Sequence, residues 1–320
     1  MKATVHPRAP AHVNGPARPT SLPPMPTAAL DAFPLTPLRD DRLDEPALVR
    51  IVQRLAAAGV DAITVLGSTG SGAYLDRAER SRVVRLAVDA AGDVPVHAGV
   101  SALRTAHALA FAEDAAAAGA RGLLLAPQSY QPLTDDDVAH LYADVTAATD
   151  LPVVVYDNPT TTRFTFSTAL YERVAALPGV ASLKIPGVPA DPAEARERVA
   201  EIRAALPSHV GVGVSGDAFG AAGLIAGCDT WFSVIAGTLP EPAVRIARAV
   251  REGRPADALA ESERLAPLWD LFARHGSLRV TAAAAEHLRL TAPGCLPRPL
   301  LGLGAADRAE VADVVARVMG

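Results

Sequence analysis

What most limits the folds open to this chain is a unit that recurs along it: a short apolar run, a turn, then an amphipathic stretch rich in Ala and Arg at helical spacing. Apolar runs fall near residues 30–35 and at 62–66, 94–98, 122–126, 152–156, 181–185, 210–214 and 230–234. Helical patterns separate them at 45–58, 77–91, 106–118, 135–148, 193–206 and 240–251. Two are preceded by capping pairs, Asp76 with Glu79 and Thr134 with Asp137. The runs are apolar throughout instead of alternating, as in parallel strands covered by helices. Eight such strands predict an α/β fold, a (β/α)8 TIM barrel over residues 29–254.

After residue 254 the strands stop, and 256–275, 278–290 and 305–319 read as three helices. They predict a C-terminal helical domain over 255–320. Residues 1–28 are rich in Pro and Ala without periodicity, as in Leu22-Pro23-Pro24-Met25-Pro26, and are expected to be disordered.

Composition removes several function classes. A net charge of −5 offers no electrostatic footprint for nucleic acid. No apolar run reaches membrane-spanning length; even the alanines at 115–118 are soon followed by Gly119 and Arg121. The two cysteines, Cys228 and Cys295, form neither a disulfide framework nor a CxxC site, which fits a reducing cytoplasm. The eight histidines show no HxxxH or HxH pair, so no metal is expected.

Against this background one residue type is nearly missing. Of thirty Lys and Arg residues only Lys2, in the N-terminal segment, and Lys184, in the run ending Ser182-Leu183-Lys184-Ile185-Pro186, are lysines. Arginine serves as a solvated charge but stays protonated, whereas a desolvated lysine amine condenses with a ketone. Lys184 is therefore a candidate nucleophile. The bland alternative is a strand-end lysine reaching to solvent, and the scarcity of lysine elsewhere weighs against it.

In a barrel of this kind the chemistry lies at the C-terminal strand ends. After the second run comes Gly67-Ser68-Thr69-Gly70-Ser71-Gly72, whose glycines and hydroxyls suit an anion cradle but are equally common in plain turns. After the fifth comes Tyr156-Asp157-Asn158-Pro159-Thr160-Thr161-Thr162-Arg163, in which a wet-ended packed tyrosine is the simpler reading of Tyr156. Residues 211–216 match GxGxxG, yet they follow a late strand, and Asp229 precedes the next run instead of closing it. Dinucleotide binding is therefore not expected. Gly213 and Ser215 in that stretch, and Val234 after the eighth run, are candidate lining residues of the barrel mouth.

Taken in order, FPLTP, GVDAITVLGSTGSGAYL, VVVYDNPTTT, SLKIP and VSGD resemble the dihydrodipicolinate synthase/N-acetylneuraminate lyase superfamily of Schiff-base pyruvate lyases, from about Phe33 to the end. The resemblance implies a barrel with a C-terminal helical domain, assembled as a homo-oligomer, dimer or tetramer. It implies that Lys184 forms an imine with a 2-oxo acid, that Tyr156 is general acid/base, and that Ser68 and Thr69, with Gly70, hold the carboxylate and relay protons. No cofactor is implied beyond the imine itself. Ser129, with Tyr130 beside it, and Thr161 fall at positions that serve the relay and the second substrate, an aldehyde in the synthases, and Asp157 and Asn158 are further substrate-binding candidates.

The departures are informative. Ser71 stands where the family has a glutamate, and Ile185 where an acidic residue follows the lysine. Ser129 replaces a relay tyrosine donated across a subunit interface, with Tyr130 one residue on. Thr161 replaces an arginine for the aldehyde's carboxylate, with Arg163 two residues on. The imine-forming core is retained while the second pocket is remodelled, so the leading expectation is an aldolase, dehydratase or synthase other than the lysine-biosynthesis enzyme. Authentic 4-hydroxy-tetrahydrodipicolinate synthase is one alternative. A non-catalytic 2-oxo acid or sugar acid sensor is another, and a phosphate-binding barrel enzyme using residues 211–216 a third.

Overall fold

The structure, a computed structural model, describes residues 29–319. The segment 1–28 lies outside the described residues. Eight parallel strands close into a barrel: β1 (Ala29–Ala32), β2 (Ala62–Val65), β3 (Val96–Gly99), β4 (Gly122–Leu125), β5 (Val153–Tyr156), β6 (Val180–Ile185), β7 (Gly211–Val214) and β8 (Thr230–Ser233). Each pairs with the next, and β8 pairs with β1.

Alternation along the strands divides the core into two layers. Leu30, Ile63, Leu123, Leu125, Val153, Val155, Leu183, Val212 and Trp231 pack outward in the large cluster shared with the helices. Phe33, Leu124, Val154 and Phe232 form a separate inner cluster. Burying each such side chain stabilises the fold by roughly 1.5–3 kcal/mol. The C-terminal helices join the outer cluster through Leu268, Leu271, Val311 and Val315.

Local chemistry sets the helix limits. Glu45–Ala58 starts where the Asp44 side chain accepts from the Ala47 N–H and ends at Gly59, whose φ of +80° suits glycine. Both capping boxes read from the sequence are present, at Asp76/Glu79 and Thr134/Asp137.

Some boundaries differ from expectation. The predicted helix 256–275 is two helices, Pro255–Arg264 and Ala266–His275. Pro267 has no N–H to continue the ladder, and its ring crowds the preceding turn. A hairpin of Leu38–Arg39 with Arg42–Leu43, and helices Thr168–Ala175 and Gly220–Ile225, were not expected. The last contains two glycines because it sits directly on the strands: a Cβ at Gly220 would lie 2.3 Å from the Trp231 ring, and one at Gly223 2.6 Å from Val214. Packing overrides propensity there.

Among the described residues no helix is long and apolar enough to cross a membrane. Cys228 and Cys295 are free and buried, and burial pushes their thiols up to about 12 and about 11, leaving them protonated.

Candidate active site

A strand irregularity builds the centre of the site. Val153 pairs with Val180, but Val154 pairs with Ser182, so β6 holds one residue more than β5 at this point. Val180 packs in the outer layer, and strict alternation would send Lys184, four residues on, the same way. The bulge reverses the phase. Tyr156 then lies opposite Lys184, both facing the barrel interior.

Lys184 is only 2% exposed. Its Nζ lies 3.5 Å from the ring centroid of Phe33, 4.2 Å from that of Tyr156 and 5.3 Å from that of Phe232. Burial brings its pKa down from 10.5 to about 7, against the opposing pull of the Asp31 and Asp217 carboxylates. The amine is thus available near neutral pH. Phe232 in turn requires Gly213, the residue opposite Lys184 on β7, because a Cβ there would lie 2.3 Å from its ring.

The hydroxyl of Tyr156 accepts from Asn158 Nδ2 at 2.9 Å, and the same amide reaches Ser68 Oγ at 3.3 Å. Burial pushes the phenol up to about 12, with the Ser68 hydroxyl acting in the opposite direction. The phenol therefore holds its proton until something nearby takes it. Asn158 ties β5 to the turn after β2.

That turn is crowded. Leu66 has φ +61°, and a Cβ at Gly70 would lie 2.6 Å from Leu66 N. Those at Gly72 and Gly99 would fall 2.3 and 2.2 Å from Leu66 O. Glycine is obligatory wherever backbone approaches this closely. Beneath lies Arg80, 4% exposed, which donates to the Gly72 carbonyl and, at 2.6 Å, to the Gly99 carbonyl, with its guanidinium 4.0 Å from the Phe111 centroid. Burial lowers its pKa to about 10. Thr69 is buried and Ser68 exposed on the turn so held.

The other sequence candidates are placed differently. Asp157 is buried, but its Oδ2 accepts from Tyr171 OH at 2.5 Å, so it anchors helix Thr168–Ala175. Ser215 Oγ donates to the Ile185 carbonyl at 2.8 Å, and the Val234 N–H donates to Asp217 at 3.1 Å. Ser129 closes its own turn with Gln131, Tyr130 is 90% exposed, and Thr161 is exposed. Sequence reading missed Asp31, Asp217, Phe33 and Phe232 as neighbours of the lysine, and Arg80 as the support of the turn. A signal existed for Asp31, a charge inside an otherwise apolar run.

A grouping with metal-ligand character does exist: His275, Asp307 and Glu310 bring ligand atoms within 4.8 Å of one another. It lies on the C-terminal helices, and Glu310 is already paired with Arg274 at 2.5 Å. The barrel site has no such set among the described residues. Its chemistry is that of an amine, a phenol and hydroxyls.

Comparison with known proteins agrees with this geometry. The profile of the Dihydrodipicolinate synthetase family matches residues 27–318. A 4-hydroxy-tetrahydrodipicolinate synthase of Methylococcus capsulatus is 34% identical over 282 residues, 88% of this chain and 94% of that protein. An uncharacterized DapA-like lyase of Halobacterium salinarum is 31% identical over 85% of this chain and 87% of its own. The crystal structure of a dihydrodipicolinate synthase from Agrobacterium tumefaciens superposes with a TM-score of 0.87 at 43% identity, covering 92% of this chain and 98% of that one.

Proposed function

The chain belongs to the Dihydrodipicolinate synthetase family and is a Schiff-base lyase; within that chemistry we propose that Lys184 forms the imine, with pyruvate or a related 2-oxo acid as substrate. The observation that carries this is a fully enclosed lysine, its pKa about 7, standing opposite a tyrosine in strand register.

In this reading the Lys184 amine adds to the keto carbon, forming the C–N bond. A proton delivered by way of Tyr156 lets the former carbonyl oxygen leave as water, and the nitrogen lone pair closes a protonated imine. The imine is itself the electron sink for making or breaking the adjacent C–C bond, so the chemistry needs neither metal nor cofactor. Ser68, Thr69 and Gly70 hold the carboxylate on the turn supported by Arg80, and Asn158 orients the phenol. Asp157, Ser215 and Val234 serve this site through the framework. Gly213 serves by admitting Phe232.

The second substrate is an aldehyde in the relatives named as synthases, and in this chain its surroundings are Thr161, Ser129 and Tyr130. The reading includes a homo-oligomer, supported by the 90% exposure of the Tyr130 side chain in the segment after β4, and a cytoplasmic location, supported by two free cysteines. The synthase activity of the relatives is the second reading, supported by their names over most of this chain. Turnover of pyruvate with aspartate semialdehyde would decide for it.

Borohydride reduction in the presence of pyruvate, followed by peptide mass spectrometry, tests the central step. A reduced adduct on Lys184, absent from Lys184→Arg, is expected. Failure to trap any 2-oxo acid on Lys184 would overturn the assignment.

A further inference from the structure

β1 carries a carboxylate where an apolar side chain would suffice for packing. Asp31 is 0% exposed. It alternates with Leu30 and Ala32, which pack outward, and shares the inner side with Phe33. Its Oδ2 accepts from Thr64 Oγ1 on β2 at 2.7 Å and stands 3.2 Å from His97 Nδ1 on β3. Three consecutive strands thus converge on one oxygen. Among the described residues no protein donor reaches Oδ1. On its far side the His97 ring lines a cavity of about 730 Å3 at the strand-start end of the barrel, whose rim includes Asp93, Arg121 and His209.

A buried carboxylate with so few donors is costly unless a cation uses its charge. The buried amine nearby is Lys184: Asp31 is in register with Phe232 on β8 and two residues from Phe33 on the same inner face, and those two rings lie 5.3 and 3.5 Å from Nζ. The Asp31 carboxylate, like that of Asp217, therefore opposes the fall in the lysine's pKa. The two carboxylates differ in their partners. Asp217 shares its charge among Ser233 Oγ at 2.8 Å, Val234 N at 3.1 Å and Ile235 N at 2.9 Å. Asp31 keeps one oxygen open. The remaining groups facing the lysine nitrogen are the Phe33, Tyr156 and Phe232 rings, which carry no counter-charge.

We propose that Asp31 is a positioning residue for Lys184: Thr64 and His97 fix its carboxylate inside the barrel, from where its negative charge stabilises the cations the lysine passes through, ammonium and protonated imine. This rests on the reading of Lys184 as the imine-forming residue. Condensation of amine, ketone and one proton gives protonated imine and one water, so a positive charge stays at Nζ in a cage otherwise built of aromatic rings. Without Asp31 that cation depends on Asp217 alone.

The scarcity of lysine makes a direct test available. Protein grown on lysine labelled with 13C at Cε gives two side-chain signals, Lys2 and Lys184, assigned by Lys2→Arg. With no substrate present, the Lys184 signal in Asp31→Asn is expected to titrate about one pH unit lower than in the unaltered protein, roughly a tenfold loss of proton affinity. Asp31→Ser removes the same charge with a smaller side chain and is expected to shift the midpoint the same way. It also serves if Asp31→Asn does not fold. Unmoved midpoints in folded variants would overturn the proposal. Because the titration involves no 2-oxo acid, its outcome is separate from the trapping experiment.

Discussion

Tyr156 and Lys184 face each other across the β5–β6 ladder, the lysine nitrogen 4.2 Å from the centre of the tyrosine ring. The pairing sets the proposed nucleophile and the proposed proton carrier on adjacent strands, so neither depends on a mobile loop. Their pKa values move in opposite directions for one cause. Burial disfavours the ammonium and the phenolate alike.

The trapping rate should therefore follow Lys184. The amine is the reactive form, so the rate rises with pH and reaches half its plateau near 7, where an ordinary lysine of pKa 10.5 would be amine in only about one molecule in three thousand. The sign for stability runs the same way. Between pH 7 and 10.5 the unfolded chain binds the proton that the native lysine has released, so this group's contribution to stability rises with pH over that window. Initial rates of borohydride-trapped pyruvate from pH 5.5 to 9 provide the check, and a midpoint above 9 would contradict it.

Replacing Tyr156 with Phe keeps the ring against the lysine and removes the proton. Turnover is expected to fall by about 10²–10⁴ while the trapped adduct still forms on Lys184, more slowly. Asn158→Ala removes the amide that bonds both Tyr156 OH and Ser68, and a smaller loss in the same assay is expected. Adduct mass and turnover, measured on the same preparations, separate the two steps.

Gly213→Ala places a methyl group 2.3 Å from the Phe232 ring and 2.9 Å from the Thr230 carbonyl oxygen. Overpacking of this kind costs about 1–3 kcal/mol. Urea unfolding reads that loss directly, and the 13C titration of Lys184 should shift as its ring neighbour moves. An unchanged unfolding midpoint would mean that the barrel wall yields more easily than its packing indicates.

Arg80→Met preserves much of the stem's packing but deprives the Gly72 and Gly99 carbonyls of their donor. A net loss of about 2 kcal/mol is expected, since each unsatisfied buried acceptor costs roughly 1–3 kcal/mol and the relieved burial of the charge offsets part of it. Because those carbonyls support the Ser68–Thr69 turn, the concentration of pyruvate needed for half-maximal trapping should rise as well. Arg80→Lys, unable to reach both carbonyls as a fork, should fall between. Thermal melts and pyruvate titrations report the two effects.

Much of this molecule is legible without coordinates, and the particular residues show why. Lys184 is conspicuous because arginine replaces lysine at nearly every other cationic position. Ser68, Thr69 and Tyr156 follow apolar runs, and the ends of barrel strands converge. Asp76 and Thr134 declare helix starts through contacts a few residues long. Other features join positions far apart in the chain. Arg80 looks like one more helix-surface arginine until the Gly72 and Gly99 carbonyls are seen over it. Asp157 reads as a site residue beside Tyr156, yet its carboxylate belongs to Tyr171.

The sequence by itself determined the order and count of the barrel strands and the presence of an amine, a phenol and a hydroxyl turn, because periodicity and side-chain chemistry are local properties. Only the tertiary structure decided which way those groups face. Strands buried on both sides carry no alternation of polarity from which a phase can be read. The extra residue in β6 reverses that phase between Val180 and Lys184, turning the lysine from the helices to the interior. The same closure of the barrel sets Asp31, Thr64 and His97 on one oxygen. Its effect on Lys184 depends on distance through space, which no spacing along the chain records.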